Sequence, residues 1–238
     1  MRLTARQRLS WGAHLFKAAT QQHHRELRAL FSRFVPEDAV VVDIGAHAGQ
    51  FSKLFARMAP RGVVYAFEPS AYARSIMIPA LRLNRINNVQ LTPQGLSDVP
   101  GALTLHTPLK RSSSLGFGTA HLGPKSVAGA ELDQTVTLTT LDAFVADKGL
   151  ARLDFIKADV EGWELRALTG GMETLRRHRP TLYLEVDDAC LVRAGDTPSA
   201  LFDWLDRLGY DAFTTPIAVA APAWRGPGDY LFTHREKS

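Results

Sequence analysis

Apolar positions recur at helical spacing over residues 3–34, Leu9, Phe16, Leu27, Leu30, Phe31 and Phe34 among them. The spacing predicts one or two amphipathic helices closed by Pro36. The period then changes. Ala39-Val40-Val41-Val42-Asp43-Ile44 is a β-branched run stopped by Gly45, which reads as a strand buried on both faces. A helix over Gln50–Met58, a strand at Val63–Phe67, a helix at Ala71–Leu83 and a short strand at Val89–Leu91 follow. Strand and helix alternating at this spacing predict a parallel sheet with crossover helices. The middle differs: Ala102–His106 and Thr135–Leu138 alternate like half-exposed strands around a Ser/Gly-rich stretch, Arg111–Gly129. The first pattern resumes with a helix at Leu141–Ala146, a strand at Asp154–Ala158, one helix over Trp163–Arg177 and a strand at Leu182–Val186. A helix at Ser199–Leu208 and a hairpin of Ala212–Thr215 with Tyr230–Thr233 close the chain. Residues 1–36 read as a basic helical extension, and 37–238 as one α/β domain.

Composition narrows the classes. No run of 18 apolar residues exists to span a membrane, the leading segment lacks a secretory core, and a single cysteine, Cys190, excludes a disulfide framework. A cytoplasmic protein is expected. Charge is uneven: residues 1–36 hold seven basic side chains against Glu26, so this segment carries +6 and the remainder −2. That is not a whole-surface nucleic-acid footprint. A basic amphipathic segment suits packing as a lid over the site or a contact in a homo-oligomer. Peripheral contact with an anionic membrane is its second use.

The strongest chemical signal is Asp43-Ile44-Gly45-Ala46-His47-Ala48-Gly49 at a strand-to-helix junction. Glycines there allow a tight turn and the close approach of a ligand to the free N–H groups of the next helix. The spacing is not the G-x-G-x-x-G of a pyrophosphate site, which disfavours a nicotinamide dehydrogenase. An acid at the strand tip suits the amino group of a methionine-like ligand. Glu68 ends the next strand, where a carboxylate can accept both hydroxyls of a ribose.

Val41–Phe51 resembles the opening motif of the FkbM-type methyltransferases, and so do Ala66-Phe67-Glu68-Pro69 and Leu96-Ser97-Asp98 in their places. The most specific match is Ile156-Lys157-Ala158-Asp159-Val160-Glu161-Gly162-Trp163-Glu164, preceded by Thr140-Leu141-Asp142 and followed by Pro180 and Glu185. The resemblance covers roughly residues 39–187; His47 departs from it, standing where many members carry Asn. It implies a class I methyltransferase (Rossmann-like) fold, a doubly wound, mostly parallel seven-stranded sheet, with S-adenosylmethionine at the carboxyl ends of the strands. Carried over, Asp43, Gly45, Ala46, His47 and Gly49 flank the methionine moiety, Glu68 the ribose and Ser97 the adenine. It also implies O-methylation of a sugar, glycan or small metabolite.

Methyl transfer from a sulfonium needs an acceptor oxygen held in line and a group to receive its proton. Asp159, at the end of its strand, is the first candidate base, and His121, beside the Ser-rich loop, the second. Asp159, Glu161 and Glu185 could also hold Mg2+, while Glu161 has a competing use as a cap for the following helix. His106 and Ser112–Ser114 are candidate acceptor contacts. Two alternatives stand beside this reading. A non-catalytic cofactor-binding module would dock through the basic N-terminus. A nucleic-acid methyltransferase would need a proline-rich loop where this chain has the acidic Asp159-Val160-Glu161-Gly162, so no nucleic-acid partner is expected.

Overall fold

In the computed structural model, residues 5–108, 120–124 and 131–237 are described, with side chains from residue 8 onward. Most of the Ser/Gly-rich stretch, including Ser112–Ser114, lies outside the described residues. In chain order the elements begin with α1 (Ala5–Thr20), α2 (Arg28–Phe31), β1 (Val40–Ile44), α3 (Gln50–Met58), β2 (Val63–Phe67), α4 (Ala71–Leu83) and β3 (Val89–Thr92). Then come β4 (Gly95–Leu96), β5 (Gly101–Pro108), β6 (His121–Leu122), β7 (Glu131–Thr139) and α5 (Leu141–Lys148). The chain ends with β8 (Phe155–Ala158), α6 (Glu164–Thr169), α7 (Met172–His178), β9 (Thr181–Val186), α8 (Asp188–Ala194), α9 (Pro198–Arg207), β10 (Tyr210–Thr214), β11 (Val219–Ala220) and β12 (Gly228–His234).

The main sheet runs β11-β10-β12-β9-β8-β1-β2-β3. Its five strands from β9 to β3 are parallel, and β12 enters antiparallel between β9 and β10. These are the seven expected strands plus the two-residue edge β11. Strand order reverses at β1, which leaves a crevice at the carboxyl ends of β1, β2 and β8. Alternation along β1 explains its apolar run: Val42 and Ile44 pack into one helical layer while Val41 packs into the other.

The extension is built into that second layer. Leu27, Phe31 and Val35 are buried there, and Phe31 meets the rings of Tyr183 at 4.9 Å and Phe155 at 5.2 Å. Buried Lys53 donates to the carbonyls of Ala18 and Gln21, so it neutralises the negative end of α1. Trp11, Leu15 and Ala18 bury against Tyr72, Ile76 and Ala80 of α4. Leu9 and Phe16, which the spacing puts on the apolar side, stand exposed instead, because α4 covers only one stripe of α1.

Two further departures have local causes. The single helix expected over Trp163–Arg177 breaks at Gly170-Gly171, where a Cβ on Gly170 would lie 2.0 Å from the Ser97 carbonyl oxygen. The unforeseen α8 is capped by Asp187, which accepts from Cys190 N–H at 2.9 Å, and ends on left-handed Gly195. The half-exposed strands of the middle form a second sheet, β4-β7-β5-β6. Gln134 pins this sheet to the start of α4, accepting from Ala71 N–H at 3.1 Å and donating to the Pro69 carbonyl at 3.0 Å. One face of the second sheet thereby becomes a wall of the crevice.

Candidate active site

The cleft begins at the turn after β1. Gly45 and Ala46 both donate N–H to the Phe67 carbonyl at 3.0 Å, which folds the chain back over the end of β2. Gly45 takes φ +74°, and a Cβ there would lie 2.0 Å from the Asp159 carbonyl oxygen. Only glycine fits both the backbone and the contact. His47 is also left-handed (φ 50°), and Gly49 caps α3 at φ +79°. Gly45, Ala46 and His47 line the cleft, with Glu68 beside them at the end of β2.

Glu68 is held at both oxygens: Oε2 accepts from His47 N–H at 2.6 Å and Oε1 from Ser70 N–H at 2.7 Å. Burial pushes this carboxyl up to about 7, against those two N–H bonds. Each oxygen keeps a lone pair for a hydroxyl donor.

Asp43 and Ser97 are placed differently from expectation. Asp43 is wholly buried beneath the turn and is not on the cleft wall. Its Oδ2 accepts from Ser52 Oγ at 2.5 Å, and its Oδ1 lies 3.5 Å from Lys157 Nζ. Burial raises the Asp43 carboxyl, with Lys157 opposing. Ser97 is buried too, and accepts from the indole N–H of Trp163 at 3.2 Å. Trp163, with Leu96, is what reaches the cleft. Both residues thus support the wall from behind.

Lys157 ties the floor together. It interrupts the otherwise apolar, fully buried β8, and such a charge must find partners. Its Nζ donates to the Gly45 carbonyl at 3.0 Å, stands 3.4 Å from Asp159 and 3.5 Å from Asp43, and lies over the Phe51 ring at 5.2 Å. Burial raises the Asp159 carboxyl, but Lys157 and a hydrogen bond with Glu185 outweigh it, so Asp159 is held low. Glu185 goes the other way, up to about 9, because it shares that hydrogen bond with ionised Asp159 and is partly desolvated. The shared hydrogen bond thus drives the two carboxyls apart, Asp159 toward the ionised form and Glu185 toward the protonated one.

Asp159 lines the cleft. His121 does not: it is buried in β6, on the opposite face of the second sheet from Leu122, which does line it. His106 pairs with His121 across the strands and shares that outer face. As a cleft base, His121 is therefore displaced. Glu161 lines the cleft and accepts from Cys190 Sγ at 3.3 Å. Glu164 holds the preceding loop in its place, accepting from the N–H groups of Val160 and Gly162 at 3.0 and 3.3 Å. Among the described residues, Asp159, Glu161 and Glu185 do not converge as a metal ligand set. Lys157 supplies the balancing charge there.

The residue that sequence reasoning missed is His24. It lines the cleft and stacks on Phe51 with centroids 4.2 Å apart. Burial lowers its imidazole, which stays neutral at pH 7. No local pattern marks it, since the contact spans the gap from the extension to α3.

Similarity to known proteins gives the family and the fold. A model of the methyltransferase FkbM domain matches residues 43–212. The 2-O-methyltransferase NoeI of Sinorhizobium fredii is 26% identical over 194 residues, spanning 76% of each chain. Methyltransferase 1 of Beauveria bassiana is 30% identical over 147 residues, or 57% of this chain and 59% of that protein. Among solved structures, methyltransferase FkbM from Methylobacillus flagellatus superposes with a TM-score of 0.52 at 14% identity, covering 95% of this chain and 59% of that one. A Streptococcus mutans structure in complex with SAH superposes with a TM-score of 0.50 at 12% identity, over 87% of this chain and 94% of that one. These two share the doubly wound α/β fold. With the family model spanning most of the domain, the chain belongs to the FkbM methyltransferase family.

Proposed function

We propose that this protein is an S-adenosylmethionine-dependent O-methyltransferase acting on a hydroxyl or carboxyl of a sugar, glycan or small metabolite. The observation that carries the reading is the pairing of two carboxylates across one glycine turn. Glu68 stands at the end of β2 and Asp159 at the end of β8, and both line the cleft. The residues fit the cofactor. The Gly45–Gly49 turn opens onto the N-terminus of α3, Glu68 has acceptor capacity for a ribose diol, and Leu96 and Trp163 offer apolar surface to a base. When bound, S-adenosylmethionine supplies a methyl group on a positively charged sulfur, so the protein needs no electrophile of its own. The 2-O-methyltransferase among the relatives supports an oxygen acceptor.

Asp159 is suited to the proton. Lys157 keeps it ionised, so it can accept a hydrogen bond from the acceptor O–H and then take the proton as the new C–O bond forms. Glu185, hydrogen-bonded to it, steadies that carboxylate, and His24 is a second acceptor on the same cleft. The acidic rim of Asp159 and Glu161 disfavours a nucleic-acid substrate.

Calorimetric titration with S-adenosylhomocysteine, with NADH as the contrasting ligand, tests the cofactor. One-to-one micromolar binding of the first alone is expected; a folded protein that binds neither refutes the reading. Asp159→Asn should bind S-adenosylhomocysteine as the wild type does, yet turn over an identified acceptor about 10²–10⁴-fold more slowly. Normal turnover would remove Asp159 from the proton's path.

Glu68 gives a pH signature. A ribose diol donates hydrogen bonds, so it favours the ionised carboxylate over the protonated one. With Glu68 raised to about 7, affinity for S-adenosylhomocysteine should weaken as pH falls below 7, approaching about tenfold per pH unit. Glu68→Gln should bind more weakly at pH 8 and show a flat profile. Equal slopes in the two proteins would assign the titration to another group.

A further inference from the structure

The geometry points to a second ligand site, for a zinc-class divalent ion, held by His106, Glu131 and Asp133 on the outer face of the four-stranded sheet. Strand register assembles it. His106 of β5 pairs directly with His121 of β6 and with Asp133 of β7, and Glu131 lies two residues from Asp133 on the same face. The alternate residues Leu105, Leu122, Leu132 and Gln134 line the cleft on the other side. The cluster is therefore separate from the cofactor cleft but shares its wall.

Three features favour an ion over a simple histidine–carboxylate hydrogen bond. Both carboxylates approach the same nitrogen: His106 Nδ1 lies 2.8 Å from Asp133 Oδ1 and 3.5 Å from Glu131 Oε2. A metal ion placed among them would engage all three groups at once. Ligand atoms around a tetrahedral zinc stand about 3.4 Å apart, and the ligand atoms here all lie within 4.8 Å of one another. The side chains of His106 and Glu131 are also only 7% and 3% exposed, so an ion held there would be shielded from bulk water. A set of imidazole and carboxylates suits Zn2+ better than Mg2+ or Ca2+, which prefer oxygen alone. The ring of His121, 5.7 Å from that of His106, is the nearest candidate for a fourth ligand. An ion here would clamp β5 to β7 and so stiffen the wall that the cleft uses.

The test is titration of the EDTA-stripped full chain with ZnCl2, with metal content read by mass spectrometry. One ion per chain is expected, with a Kd of about 1 µM or tighter, and the melting temperature should rise on loading and fall with EDTA. Glu131→Gln and Asp133→Asn, each checked for native circular dichroism, should weaken uptake about 10–100-fold. Millimolar Mg2+ should not compete. A His23→Ala/His24→Ala variant should keep full uptake, which controls for zinc held by these neighbouring histidines, whose rings lie 6.2 Å apart. The proposal fails if the wild type takes up no stoichiometric zinc and its melting temperature ignores EDTA. It fails equally if the Glu131→Gln/Asp133→Asn double variant binds like the wild type, or if removing His23 and His24 abolishes uptake.

Discussion

Lys157→Met should cost about 3–5 kcal/mol of folding free energy at pH 7. Lys157 is 2% exposed and, among the described residues, is the one cation in contact with Asp43, which is fully buried. Methionine fills the same strand position but leaves that carboxylate with Ser52 as its remaining hydrogen-bond donor. The charged form of Asp43 then lacks compensation, and desolvation raises a carboxyl that burial already raises. The sign of the pH dependence follows. An acid whose folded pKa exceeds its unfolded one loses stability as pH rises above the unfolded value, so the deficit should be larger at pH 7 than at pH 4. Urea unfolding at both pH values measures it. Asp43→Asn in the same chain should recover much of the loss, because it removes the orphaned charge. A deficit below 1 kcal/mol, or a double variant as unstable as the sum of the singles, would mean that the ion pair does not organise the floor.

Gly45→Ala should abolish measurable S-adenosylhomocysteine binding and destabilise the fold. The left-handed backbone at φ +74° alone costs an alanine about 1–2 kcal/mol. The Cβ would also sit 2.0 Å from the Asp159 carbonyl oxygen, so β1 and the β8 turn must separate. That movement pulls the glycine turn from Asp159 and from the Lys157 ammonium together. Gly149→Ala is the natural control: Gly149 has φ +57° with nothing within 4 Å of a Cβ, so it should show the backbone cost and leave ligand affinity intact. Equal affinity losses in both variants would show that backbone strain, and not the contact with Asp159, is what requires glycine at position 45.

Much of the site was legible locally because its chemistry sits at strand ends. The runs Val40–Ile44 and Val63–Phe67 are strands as their β-branched, apolar composition requires, and Gly45 and Glu68 follow directly on them. Lys157 carried a readable signal that went unassigned, a lone charge inside a buried apolar strand. The break at Gly170-Gly171 and the Asp187 cap of α8 were likewise marked by their residue types.

The sequence by itself determined the parallel sheet with crossover helices, the glycine turn after β1, and the places of Glu68 at the end of β2 and Asp159 after β8. Each depends on hydrophobic period or on a backbone conformation that few residues can adopt, and both are properties of a short segment. Tertiary structure decided the rest. His121 faces away from the cleft because β6 takes its face from pairing with β5, and β5 in turn from β7, some 30 residues along the chain. His24 reaches the cleft because Phe31 anchors the extension among Phe55, Phe155 and Tyr183. Asp43 lies beneath the site and Asp159 within it, although one stands near the end of β1 and the other directly follows its parallel neighbour β8. The turn at Gly45 passes over the first, and Lys157 bridges the two.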